Sequence, residues 1–248
     1  MSALSSLHPA RTLGFSGAPA AFPCSRVERQ QVGRAALRRE DLCLLDGGRV
    51  IVIARAVGAP RLWGLLLDSA LDAFVDGHHR SAEGTVSARL HQGILMASHY
   101  VRERTDALLD RRDADVYMLA VAIESSALHA VHCGPLQVHV VRQQRLYSLI
   151  QREQVDPHMS GERTRRSGDG SEGLRKGSPG YVVEPLAPAD LVFAGSEQVL
   201  NEALLHQLGH SIGERRVPSA QGLVDSITAS AIERGMGAAS FALRVSRL

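Results

Sequence analysis

Six short runs of almost unbroken aliphatic character constrain this chain more than any other feature. They are "DLCLL", "RVIVIARA", "VYMLAVAIE", "ALHAVHC", "LQVHVV" and "DLVFAGS", each of strand length and bounded by polar or turn residues. A strand with one wet face alternates apolar and polar residues, so runs that are apolar at nearly every position predict strands covered on both faces. Within "LHAVHCGPLQVHVVRQQRLYSL", residues 128–149, two of the runs read as strands of one apolar sheet joined through Gly134. The last run, "SFALRV", has a different pattern. Phe241, Leu243 and Val245 alternate with Ser240, Ala242 and Arg244, which predicts a half-buried strand.

Helical spacing separates these blocks. In "EGTVSARLHQGILMASHYVRERTDALL" Val86, Leu90, Ile94, Ala97, Val101 and Leu108 recur at steps of three, four or seven and form one apolar stripe. An earlier helix is predicted in "GLLLDSALDAFVDGHH", with Leu67, Leu71 and Phe74 facing inward and Gly77 near its end. A later one in "SAQGLVDSITASAIERG" carries Leu223, Ile227 and Ala231 on one face and stops at Gly235. Strands, two helices, a block of strands, then helices and a final strand imply antiparallel sheets covered by helices rather than βαβ units. The expected class is α+β, a four-layer α-β-β-α sandwich.

Residues 1–28 mix Ser, Ala, Gly and Pro without a period and read as a weakly structured tail, part of it an edge strand; residues 29–248 read as one domain. Residues 156–180, "DPHMSGERTRRSGDGSEGLRKGSPG", are polar and Gly/Ser-rich and read as a mobile loop. Its cluster Arg163, Arg165 and Arg166 before Ser167 is that of a solvated loop, or of a site for an acidic partner or a kinase.

Lys and Arg number 28 against 26 Asp and Glu, a formal charge of +2, too balanced to suggest nucleic acid or a membrane surface as partner. Cys24, Cys43 and Cys133 form no CxxC pair and fit a reducing compartment. Without a leader-like start or a long apolar stretch, the expected location is cytoplasmic. His206 and His210 stand four apart on a predicted helix, a spacing that suits zinc. No cysteine or third ligand accompanies them, so they read as ordinary polar positions. So do His129, His132 and His139 on neighbouring strands, and His78 and His79 at a helix end.

Five segments in order resemble the bacterial metal-dependent protein phosphatases, the PPM or type 2C family. "GRAALRRED" keeps Gly33, Glu40 and Asp41 of the family's first motif, with Ala36 where an arginine would stand. "VIARAVGA" has the shape of Val-x-Asp-Gly-x-Gly-Gly, but Arg55-Ala56 replaces Asp-Gly and only Gly58 survives. "HCGPLQ" keeps His132 and Gly134 of His-x-Gly-Asp-Ser-Arg, with Pro135-Leu136-Gln137 for the last three. "PADLVFAGSEQ" keeps Pro188, Asp190 and Ser196, while Glu197-Gln198 replaces Asp-Gly. "GAASFALRV" offers Gly237 and Ala238 for Asp-Asn and Ser240 for the threonine.

The resemblance implies a β-sandwich between helix pairs and, in the family, two Mg²⁺ or Mn²⁺ ions between the sheets that activate water against a phosphate. The substitutions alter that implication. A guanidinium stays protonated and has no acceptor lone pair, so Arg55 cannot ligate an ion. Gly237 and Pro135 remove carboxylates, Ala36 removes the phosphate-binding arginine, and Ala56 changes the second motif. Glu40, Asp41 and Glu197 are the remaining metal-ligand candidates. Three readings follow. In the first, Arg55 replaces the ions and pairs with Glu40, Asp41 or Glu197 in a pseudophosphatase that needs no cofactor and binds a kinase or phosphoprotein; alternatively, a rearranged Mn²⁺ or Mg²⁺ site supports an active serine/threonine phosphatase; or these residues are independent surface charges.

Overall fold

The computed structural model describes residues 11–12, 24–27, 39–58, 60–81, 84–107, 114–124, 126–150, 172–235 and 237–245. Two short strands, β1 (Arg11–Thr12) and β2 (Cys24–Val27), precede the hairpin of β3 (Glu40–Leu45) and β4 (Val50–Val57). The helix pair α1 (Trp63–Arg80) and α2 (Val86–Asp106) follows. Then come β5 (Asp115–Glu124), β6 (Ala127–Cys133), β7 (Leu136–Arg142), β8 (Arg145–Ser148), β9 (Gly180–Pro185) and β10 (Leu191–Ser196). The chain continues through α3 (Glu202–Gly213), α4 (Ala220–Glu233) and β11 (Ala238–Arg244).

The strands divide into a six-stranded sheet, in the order β1-β3-β4-β5-β6-β9, and a five-stranded sheet, β2-β11-β10-β7-β8. Every pairing is antiparallel except that of β1 with β3. Strand periodicity explains the continuous apolar runs. On β4, Val50, Val52, Ala54 and Ala56 join the core beneath α1 and α2, while Ile51 and Ile53 join the core between the sheets. A third core lies between the five-stranded sheet and the helices α3 and α4, built on Phe193, Leu208, Leu223 and Ile227. The layers are therefore helix, sheet, sheet, helix, as expected from the sequence.

Three expectations change. First, β6 and β7 do not share a sheet, because the chain crosses from one sheet to the other at Gly134-Pro135. Gly134 has φ +90°, and a Cβ there would lie 2.3 Å from the Tyr117 ring, so this crossing requires glycine. Second, β11 is not half-buried. Phe241 and Leu243 enter the inter-sheet core, and Ala238 and Ala242 enter the core under α3 and α4. Its small residues accommodate a close layer, and smallness resembles solvent exposure in an alternating pattern.

Third, the predicted mobile stretch is too long at its end. Residues 151–171, with the Arg163–Arg166 cluster, lie outside the described residues, but Leu174 is fully buried in the core beneath α1 and α2. The Leu174 amide donates to Val116 O, its carbonyl accepts from Ser98 Oγ, and the Arg175 amide donates to Asp115 Oδ1 at 2.9 Å. Within the expected tail, β2 is an edge strand paired with β11.

The helices follow their stripes, and Leu67, Leu71 and Phe74 face Leu90, Ile94 and Ala97 in one core. Gly93 allows the close approach, since a Cβ there would sit 2.7 Å from the Phe74 ring. Leu108, expected to extend the α2 stripe, lies outside the described residues. Side chains of Thr85, Asn201 and Ser219 accept amide hydrogens at the starts of α2, α3 and α4. Among the described residues no helix is long and apolar enough to cross a membrane.

Candidate functional site

At one end of the sandwich the apolar layer between the sheets gives way to a polar cluster. Glu40 opens β3 and lies opposite Arg55 in the β3–β4 ladder; Tyr117 lies opposite Arg55 on β5. Ser196 closes β10 in the facing sheet, and Ala239 lies near the start of β11. The period of two sends Glu40 and Arg55 to the same inner face as Leu42, Ile51 and Ile53.

Arg55 Nη1 donates to Glu40 Oε1 at 2.5 Å and to Ser196 Oγ at 3.0 Å. Ser196 Oγ in turn donates to Glu40 Oε1 at 2.7 Å, and the Ala239 amide donates to Glu40 Oε2 at 2.8 Å. The Arg55 and Glu40 side chains are 4% and 0% exposed, so this ion pair is closed to bulk water. Burial pushes the Glu40 carboxyl above its ordinary value, against the opposing pull of Arg55, Ser196 and the Ala239 amide.

The remaining candidate residues distribute unevenly. Asp41 is buried, but alternation turns it to the opposite face of β3, beside Cys43 and Leu45 beneath the helices, where its Oδ1 accepts the Leu42 amide. Ala56 also packs in that helix-side core. Pro135 is at the crossing between sheets, and its carbonyl accepts the Glu197 amide at 3.2 Å. Glu197 is half-buried in the turn after β10, and Gly237 is buried immediately before β11. Thus Glu40, Arg55, Pro135, Glu197 and Gly237 gather at one end of the sandwich, whereas Asp41 and Ala56 do not face into it. The reading of Glu40, Asp41 and Arg55 as surface charges fails, because all three are at most 3% exposed. Gly33 and Ala36 lie outside the described residues.

The histidines separate as well. His132 packs over Gly180, where a Cβ would lie 2.4 Å from its Nε2. His129 faces the helices, with Nδ1 2.9 Å from both Ser87 Oγ and Tyr181 Oη. His139 belongs to the other sheet, stacked on Phe193 with Nε2 3.0 Å from Gln137 Oε1. Its burial lowers its pKa to about 4.

Two hard divalent ions need several available carboxylate oxygens at one place. Here both oxygens of Glu40 accept hydrogen bonds, Asp41 faces away, Ala56, Pro135 and Gly237 offer no carboxylate, and Glu197 is the one further acid of the candidate set at this end. A guanidinium stands at the centre. The residues present do not fit a two-ion site of the type the resemblance implies. Ser196 is the participant that sequence reasoning left without a role; its signal was a hydroxyl ending the stretch "LVFAGS", otherwise apolar or glycine.

No family model matches the sequence, and no curated protein matches it. Solved structures do. The catalytic domain of the serine/threonine protein phosphatase PstP, in complex with two manganese ions, superposes with a TM-score of 0.68 at 11% identity over 91% of this chain and 98% of that one. PppA, a key regulatory component of T6SS in Pseudomonas aeruginosa, gives 0.62 at 13% identity over 90% and 97%. The PPM Ser-Thr phosphatase MsPP from Mycobacterium smegmatis, in complex with cacodylate, gives 0.59 at 15% identity over 93% and 100%. Two antiparallel sheets enclosed by helix pairs give this chain the fold of the PPM-type serine/threonine phosphatases.

Proposed function

We propose that this chain is a divergent, cytoplasmic member of the PPM family whose metal-dependent hydrolysis is impaired, and that it acts as a protein-binding or regulatory module. The observation that carries the reading is the Arg55–Glu40–Ser196 cluster. It puts a permanent positive charge where the resemblance implies divalent ions, and it engages the carboxylate best placed to hold them. An ion entering beside Arg55 meets like charge in a medium that screens poorly.

The partner proposed for such a scaffold is a kinase or a phosphoprotein, by analogy with the proteins on which a phosphatase fold acts. The description of PppA as a regulatory component supports a regulatory use of this fold by analogy. The direct test is calorimetric titration of chelator-treated protein with Mn²⁺, together with a phosphopeptide hydrolysis assay. The expected result is no ion bound up to millimolar metal and no hydrolysis. One or two bound ions with hydrolysis would overturn the proposal in favour of an active serine/threonine phosphatase with a rearranged Mg²⁺ or Mn²⁺ site.

A further inference from the structure

The turn between β3 and β4 begins with Asp46, and α1 ends in His78, His79 and Arg80. These segments meet at the end of the strands opposite Glu40 and Arg55, on the helix side of the six-stranded sheet. Asp46, His78 and His79 each present one ligand atom, and the three atoms lie within 4.8 Å of one another. We infer that they form a binding site for a divalent transition ion, zinc above all, distinct from the cluster between the sheets.

His78 carries the argument. It is 1% exposed and stacks on Phe74, yet its Nδ1 has no hydrogen-bond partner. Its Nε2 lies 3.7 Å from Asp46 Oδ2, beyond hydrogen-bond length. Nδ1 is thus closed off inside the protein, and Nε2, which faces Asp46, is the nitrogen through which the ring can bind an ion. Around zinc, with bonds of about 2.0–2.1 Å, tetrahedral ligand atoms lie about 3.3–3.5 Å apart. The 3.7 Å separation needs only a small closure, and the exposed His79 ring is placed to supply the larger adjustment.

The donor set selects the ion. Two imidazoles and one carboxylate suit zinc, whereas Mg²⁺ and Ca²⁺ require oxygen ligands throughout. The negative end of the α1 dipole favours a cation here. Three protein ligands leave a fourth position for water, as in open zinc sites. Arg89 is the opposing group: its Nη1 is 3.3 Å from Asp46 Oδ2 and competes for that carboxylate. A bound ion would tie the β3–β4 turn to the end of α1.

The test is calorimetric titration of the chelator-treated full chain with Zn²⁺. One ion per chain is expected. His79→Ala, at an exposed position that leaves the core intact, and Asp46→Asn should each weaken binding at least tenfold, while Arg89→Gln should tighten it. No zinc binding, or binding unmoved by both His79→Ala and Asp46→Asn, would overturn the assignment. Repeating the Mn²⁺ titration on His79→Ala keeps the two proposals apart, because an ion held between the sheets does not depend on His79.

Discussion

The two ends of the sandwich use the same pair of residue types in opposite ways. At one end Arg55 meets Glu40 inside the inter-sheet layer, on one nitrogen, out of contact with water. At the other end Arg142 of β7 grips Asp190 with Nε and Nη2, Glu184 of β9 with Nη1 and the Pro185 carbonyl with Nη2. Arg142 is 29% exposed and joins the two sheets from the rim. The rim arginine is a staple with planar two-pronged geometry, and solvent shares its charge. The central arginine neutralises a buried carboxylate and is in turn neutralised by it. Removing one partner therefore means different things at the two ends.

The largest expected effect is at the centre. Arg55→Ala should cost about 3–5 kcal/mol in denaturant unfolding, because it leaves Glu40 buried without its counter-charge. Replacing both partners by apolar residues, Arg55→Met with Glu40→Leu, should recover most of that loss but not all, since the Ala239 amide loses its acceptor. A loss for Arg55→Ala no larger than that for Arg142→Ala would show that the centre behaves like the rim.

Next in size is a pH effect from His139, on β7 between the two ends. Its folded pKa of about 4 lies below the ordinary 6.5, so the unfolded chain binds the proton first. The stability is present above pH 6.5 and is lost as pH falls toward 4, by at most ~3 kcal/mol. Glu40, raised by burial, contributes with the opposite sign, so the check is the difference between wild type and His139→Phe across that window. A difference independent of pH would mean that the outer face of β7 admits water.

Smaller effects belong to the rim. Arg142→Ala should cost about 2 kcal/mol, and the loss should shrink between low salt and 1 M salt, whereas the Arg55 effect should not. Ala189, exposed in the turn that positions Asp190, has φ +73°. Ala189→Gly should stabilise by about 0.5–1 kcal/mol, read as a rise in melting temperature.

Much of this fold was legible because burial on both faces leaves a signature in the chain. The six aliphatic runs became β3, β4, β5, β6, β7 and β10, and the stripes of Leu67, Leu90 and Leu223 became helix faces. The candidate site was half legible. That Arg55 could not serve as a metal ligand followed from its chemistry alone. Which acid it would meet did not, because Asp41 and Glu40 are neighbours in sequence and only strand register sends one to each face.

What the chain by itself determined is its alternation of strand and helix, its turn glycine at position 134 and the charge type at each site. Only the tertiary structure decided that β6 and β7 separate into different sheets and that Ser196 and Ala239 reach Glu40 from 156 and 199 residues away. It also brought Asp46 to His78 and His79, which by sequence are two ordinary polar residues at a helix end. The physical reason is common to all three. Periodicity reports which face of an element is covered, but the identity of what covers it is set by sheet packing, which no local pattern encodes.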